Sequence, residues 1–343
     1  MELIPLKTNG GVKLKYFKGD NISVIGSSHI KTNTVCQDYS GHFCSNEYGI
    51  IVVCDGHGGE KHFRSDEGSK IATNVAIEAI NEFMKFEKNF SRKKESLLLQ
   101  LEKNIILNWN NAVNQHNGNF PFTEEELNKL SDNNSKAVEN DIEVAYGSTL
   151  IAAVLTNKYC FGIQIGDGDC AVLDKNGVIS NHVPSDTRLQ FNITTSLCDK
   201  AAVQNFRHFW LDEPQVALAV STDGVRNSFS NETYYFDFCK TIFESYLELP
   251  AEEAKNDLKE FLQRLTTDGS GDDVSISIIY NSQAIEDVLK SIEGNATNSN
   301  DNELNKIPIE LYKENKPEQC GDAAIMEDEN GKSNVDDPER NNG

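Results

Sequence analysis

The sequence lacks any apolar run near the roughly 20 residues that a membrane-crossing helix needs. It is also short of positive charge: 32 Lys and Arg stand against 54 Asp and Glu, a net charge of -22. Nucleic-acid partners need stripes of Lys and Arg, and an anionic membrane surface needs a basic patch, so neither is expected here. The eight Cys include no Cys-x-x-Cys pair and no spacing suited to zinc. Cys54, Cys160 and Cys170 lie inside apolar runs, which predicts buried, reduced thiols in a cytoplasmic protein. The first residues, "MELIPLKTNGG", lack the basic-then-apolar pattern of a secretory signal. "GKS" at Gly331–Ser333 does not make a phosphate-binding loop, because Met326 stands where that loop needs its first Gly.

What is present is ordered. The chain has 343 residues, enough for one large or two ordinary domains, and an apolar fraction of 38% that suffices for a core. "NISVIGSSH" and "YGIIVVCDG" read as strands. Helices are expected over about 64–88, with Ile71, Val75, Ala79 and Phe83 as the buried stripe, and over about 95–116, with Leu97, Leu101, Ile105 and Trp109 on one face. The polar stretch 117–143 reads as a surface loop. "STLIAAVLT", "YCFGIQIG", "CAVLD" and "VALAVSTDG" follow as strands, then helices near 231–247 and 251–266, then a last strand, "VSISIIY". Helices paired between runs of strands predict antiparallel sheets with helices packed outside. From 285 to 343 the chain turns polar and acidic, so a folded unit over 1–284 and a disordered tail with a short helical piece around 284–293 are expected.

Several strands deliver an Asp at one end. Asp55 follows "IIVVC", Asp167 follows "FGIQIG", and Asp223 follows "ALAVST". Asp38 lies in "CQDYS", and Asp272 and Asp273 precede the last strand. One Asp-Gly is an ordinary turn signal. As a set, these carboxylates can meet at one end of a shared sheet, where they repel one another unless a cation joins them. An all-oxygen donor set suits Mg²⁺ or Mn²⁺, and ligands drawn from distant segments argue against a local Ca²⁺ loop.

The order "CQD", "DGHGG", "YGSTLIAAVL", "GDGD", "STDGV", "GSGDDVSISII" resembles the metal-dependent serine/threonine protein phosphatases of type 2C, in their bacterial-type branch. The likeness spans roughly residues 20–280. It implies an α+β fold, a four-layer α-β-β-α sandwich of two antiparallel sheets flanked by helix pairs. It implies hydrolysis of phosphoserine and phosphothreonine in proteins by a hydroxide bridging two Mn²⁺ or Mg²⁺ ions, with a third, looser ion. Carried over by motif, Asp38, Asp55, Asp223 and Asp272 and the carbonyl of Gly56 form the metal shell, Asp167 shares the third ion with Asp223, and His57 protonates the leaving group. Asp273 stands where many members carry Asn and is left out of the shell. The substrates are phosphoproteins, so a cognate Ser/Thr kinase pathway is implied.

One departure weakens the transfer. Many members hold the phosphate with an Arg shortly before the first Asp, and "SSHIKTNTVCQD" offers only His29 and Lys31 as candidates. Neither gives the planar fork of Arg. The rival this supports is a catalytically weak or inactive phosphatase-fold module with a regulatory or binding role. A cysteine-dependent phosphatase is a poorer rival, since no Cys is followed six positions later by Arg. Gly147, Ser148 and Thr149 are expected to shape a strand near the site rather than to supply a nucleophile.

Overall fold

The computed structural model describes residues 16–86, 93–186 and 194–293. Its strands are β1 (Phe17–Val24), β2 (Tyr39–Cys44), β3 (Tyr48–Cys54), β4 (Leu150–Thr156), β5 (Cys160–Ile165), β6 (Asp169–Leu173), β7 (Ile179–Ser180), β8 (Arg207–Leu211), β9 (Ala217–Ser221) and β10 (Val274–Asn281). They form two five-stranded sheets, β1-β10-β9-β6-β7 and β2-β3-β4-β5-β8, and every pairing is antiparallel.

Strand periodicity builds the layers. Along β3, Ile50, Val52 and Cys54 face one core, while Ile51 and Val53 face another. Along β9, Ala217 and Ala219 face a third core, while Leu218 and Val220 turn toward Ile51 and Val53. Side chains alternate between faces, so strands buried on both sides must be apolar throughout. The middle core therefore joins the two sheets, and each outer core needs helices over it.

The second sheet is covered by α2 (Ser65–Met84) and α3 (Lys94–Asn119), which bury Ala72, Ala76 and Ile80 and Leu101, Ile105 and Trp109 against it. The first is covered by α8 (Glu232–Glu248) and α9 (Ala251–Asp268) through Phe238, Ile242, Leu258 and Phe261. Asn231 caps α8 by accepting a hydrogen bond from the Tyr234 N–H at 3.1 Å. The expected four-layer α-β-β-α architecture is the one observed. Among the described residues, no helix is long and apolar enough to cross a membrane.

Four local expectations are corrected. The strand read through "NISVIGSSH" stops at Val24, and α1 (Ser27–Thr32) follows, ending on Asn33 in the left-handed region at φ 58°. The polar stretch 117–143 carries α4 (Glu124–Leu127) and α5 (Asp132–Asn140). A capping box starts α4: Thr123 accepts from the Glu126 N–H, and Glu126 accepts from the Thr123 N–H. Of the expected stripe on α2 only Ala79 is buried, and the rest of the buried face lies one residue round. Ala72, Ala76 and Ile80 meet the sheet, while Ile71, Val75 and Phe83 are half-buried. Small side chains let the helix sit close to the strands. Finally, α10 (Ser282–Glu293) buries Ile285 and Val288, so the packed unit runs past the expected boundary at 284. The expected tail over 294–343 lies outside the described residues.

One ionic clamp fixes α3 on the edge of its sheet. Glu102 is 1% exposed and lies 2.7 Å from Nδ1 of His208 on β8, whose Nε2 lies 2.6 Å from Glu95. The hydrogen bond to Glu102 outweighs burial and pushes the His208 imidazole up from 6.5 to about 9. Its raised affinity means that the clamp stabilises fully below about pH 6.5 and is lost as pH rises through about 9. His208→Ala leaves Glu102 buried without a partner and is expected to destabilise the protein by about 3 kcal/mol at neutral pH in urea unfolding. A loss within experimental error would contradict this.

Candidate active site

The strand order brings the Asp motifs together. Antiparallel pairing of Tyr39 with Cys54 sets the start of β2 beside the end of β3, so Asp38 and Asp55 share one end of the sandwich. Pairing of Ser221 with Ile276 does the same for Asp223 and Asp272 in the other sheet. The turn between β5 and β6 adds Asp167. Asp223 opens the short helix α7 (Asp223–Arg226).

Hydrogen bonds fix the backbone of Asp55 and the carboxylates of Asp38, Asp223 and Asp272. The Asp55 N–H donates to Thr149 Oγ1 at 3.0 Å, and its carbonyl accepts from the Thr149 N–H and Ser148 Oγ at 2.8 and 2.9 Å. Ser148 and Thr149, expected to shape a strand near the site, stand just before β4 and clamp the Asp55 backbone. Asp38 is buried and accepts from Thr222 Oγ1 at 2.8 Å. Asp223 accepts from Asn227 Nδ2 at 3.0 Å, and Asp272 from the Asp273 N–H at 2.9 Å. A Cβ at Gly56 would sit 2.5 Å from the Gln37 carbonyl oxygen and 2.6 Å from that of Ser65, so only glycine fits there.

The charges work against each other. Burial first, then Asp38, Asp223, Asp272 and Asp167, push the Asp55 carboxyl well above the usual range. Burial and Asp273 do the same to Asp38. Burial, Asp167 and Asp272 raise Asp223 to about 6, against the opposing effect of a hydrogen bond with Asp55. Asp272 is raised by burial, and among the leading influences on it only His29 brings positive charge. No cationic side chain is among the leading influences on Asp55. Among the described residues, no three His, Cys, Asp or Glu side chains are gathered tightly enough to grip one ion. These carboxylates converge without closing on a point, as like charges do. The donor set is oxygen only, strongly anionic and rigidly backed, and it fits a hard divalent cation.

The loop after Asp55 carries His57. Its N–H donates to the Gly147 carbonyl at 3.0 Å, and its own carbonyl accepts from Gln37 Nε2 at 3.2 Å. Burial, with His62 and Lys61 nearby, lowers the imidazole from 6.5 to about 3, so it is neutral in the free protein. His29 does not point freely into the site: its Nδ1 lies 3.0 Å from Asp273. Lys31 is exposed on α1. Cys36 is held as a thiol by burial and by Asp273 and Asp38, which removes it as a nucleophile.

Three residues without an assigned role in the sequence reading matter here. Asp273 accepts from the Gly26 and Gln37 N–H groups, each at 2.6 Å, and so latches the entrance of α1 to the segment before Asp38. Gln37 links His57 to Ser65, at the start of α2. His62 packs on His57. The doubled Asp and the "CQD" motif were visible signals for the first two.

The raised carboxyls set the pH response of the metal-free protein. Asp223 contributes stability that is fully present below about 3.8 and lost as pH rises through about 6, and Asp38, Asp55 and Asp272 shift the same way. In EDTA, the melting temperature is expected to fall between about pH 4 and 7, less so in Asp223→Asn, and to recover when Mn²⁺ is added. A flat or rising profile in EDTA would contradict the charge account.

Comparison with known proteins supplies the family. Three solved structures show distant likeness. A bacterial serine phosphatase is 16% identical, with a TM-score of 0.48, and the match covers 77% of this chain and 98% of that one. PppA of Pseudomonas aeruginosa is 15% identical at a TM-score of 0.48, covering 78% and 98%. The serine/threonine phosphatase PstP/Ppp of Mycobacterium tuberculosis is 16% identical at 0.46, covering 77% and 98%. Among curated protein sequences there is no match. The family model for protein phosphatase 2C matches residues 25–263, well over half of the chain. The chain belongs to the protein phosphatase 2C family.

Proposed function

We propose that this protein hydrolyses phosphoserine and phosphothreonine in proteins, with Mn²⁺ or Mg²⁺ held by Asp38, Asp55, Asp223, Asp272 and the Gly56 carbonyl, and with a looser ion between Asp167 and Asp223. The observation that carries this reading is the convergence of five carboxylates, with no cationic side chain among the leading influences on Asp55 or Asp223 and His29 alone opposing the rise at Asp272. When bound, such ions supply activation of water for attack on phosphorus and neutralise charge on the phosphoryl oxygens.

The chain's own residues do the rest. Ser148 and Thr149 fix the Asp55 backbone, and Thr222 turns Asp38 toward the cluster. Asp273 keeps α1 docked beside Asp272. His57 stands two residues from Asp55 and is the group offered as proton donor to the leaving Ser or Thr oxygen. It is neutral in the free protein, and a phosphate dianion beside it would favour the charged, donating form. His29 is a better candidate than the exposed Lys31 for contact with the phosphate, since its ring lies against Asp273, next to Asp272. Substrates of this kind are products of Ser/Thr kinases in the cytoplasm. A second reading, a weak or inactive phosphatase-fold regulatory module, is favoured by one feature: His29, one of the two phosphate candidates, is committed to Asp273.

Turnover of a phosphothreonine peptide with Mn²⁺, Mg²⁺ and EDTA separates the two. Wild type is expected to be active with metal and silent in EDTA, and Asp55→Asn to lose at least about a hundredfold. A folded wild type that binds Mn²⁺ without any turnover would favour the regulatory module.

A further inference from the structure

The "DGHGGEKH" loop carries a second histidine five residues after His57, and the structure brings the two together. Their ring centroids are 5.0 Å apart, with the planes inclined at 60°. Nδ1 of His62 lies 2.5 Å from the Val144 carbonyl oxygen. That contact requires a proton on Nδ1, which fixes the neutral tautomer and leaves Nε2 as an acceptor. Both rings share the space above Gly147. A Cβ there would sit 2.5 Å from His62 Nδ1 and 2.9 Å from His57 Cδ2. The Gly147 carbonyl in turn accepts from the His57 N–H at 3.0 Å.

The surroundings make this packing rigid. The His62 N–H donates to the Gly59 carbonyl at 2.8 Å. Glu60 accepts from the Ser131 N–H and from Asn134 Nδ2 at 2.6 and 2.7 Å, which ties the loop to α5. Arg64 donates two bonds to Glu126 and a third, at 3.0 Å, to Tyr146 OH, and lies 4.7 Å over the Phe122 ring. The segment 120–147 therefore holds the loop from outside, with His62 wedged between it and His57.

We propose that His62 is a positioning residue: its ring, locked on the Val144 carbonyl, fixes the orientation of the His57 ring for proton transfer to the leaving oxygen. This rests on the reading of His57 as proton donor. In that step the P–O bond to Ser or Thr breaks with its electron pair on the leaving oxygen, which takes a proton from His57 to become the alcohol. Water supplies the oxygen of the new P–O bond, and its proton returns to the imidazole over the turnover. Misorienting the donor should matter only when the leaving group needs that proton.

The test compares a phosphoserine peptide with p-nitrophenyl phosphate, whose leaving group departs readily as an anion. His62→Ala is expected to lower kcat on the peptide about tenfold with KM unchanged, and kcat on p-nitrophenyl phosphate by less than about twofold. His62→Phe keeps a ring in the same space but cannot donate to the Val144 carbonyl, so it is expected to recover only part of the loss. Equal losses on both substrates, or none on either, would overturn the proposal. A second arm needs no turnover. Imidazole ¹⁵N spectra should show one tautomer for His57 in wild type and a mixture in His62→Ala, and unchanged His57 signals would overturn it. If wild type hydrolyses neither substrate, the phosphatase reading fails, and the spectra alone decide the role of His62.

Discussion

Repulsion among five buried or half-buried carboxylates is the constraint around which this end of the molecule is built. Burial raises the proton affinity of Asp38, Asp55, Asp223 and Asp272, and neighbouring carboxylates add to the effect. Left to themselves, such groups would turn outward to water. They stay because the backbone that carries them is fixed by two sheets, with strands buried on both faces. The core supplies the apolar burial, and the Asp-bearing turns are held at its edge by hydroxyls and amides. Thr149, Ser148 and Thr222 do this within the sandwich. Asp273 does it across segments far apart in sequence, joining the turn before α1, the "CQD" stretch and His29.

The His57 side of the site is supported differently. His57 lies on a loop rather than a strand, and a loop alone would not aim an imidazole well. Here the loop is braced by the residues between α3 and β4. Glu60, His62 and Arg64 each bind a different part of that segment. This segment, polar and unremarkable in composition, thus becomes a wall behind the loop that carries His57. The Asp cluster and the two histidines meet at Gly56 and Gly147, where no side chain would fit.

The layers and the carboxylate set were legible in the sequence because both rest on short-range pattern. Continuous apolar runs such as "YGIIVVC" announce strands buried on both sides, and an Asp at their ends has few structural reasons to be there. The long helices followed from apolar spacing, although the face of α2 that packs was misjudged by one position, because alanines outcompete bulkier residues where helix and sheet lie close. The short helices α4 and α5 left no apolar pattern, since α5 buries only Val138 and α4 buries nothing, and the Thr123–Glu126 capping pair was their one local signal. The roles of Asp273 and His62 depend on partners far away in sequence, Gly26 and Val144 among them. No local spacing encodes such contacts.

The most direct measurement is calorimetric titration of the metal-free protein with Mn²⁺ near pH 6, repeated in buffers of different ionisation enthalpy. Burial and mutual repulsion raise the proton affinity of these carboxylates, so Mn²⁺ binding is expected to displace protons from them. Binding accompanied by proton release, with both reduced in Asp55→Asn, is the predicted result. Absence of binding, or binding that releases no protons, would contradict the claim that this cluster is a cation site in wait of its charge.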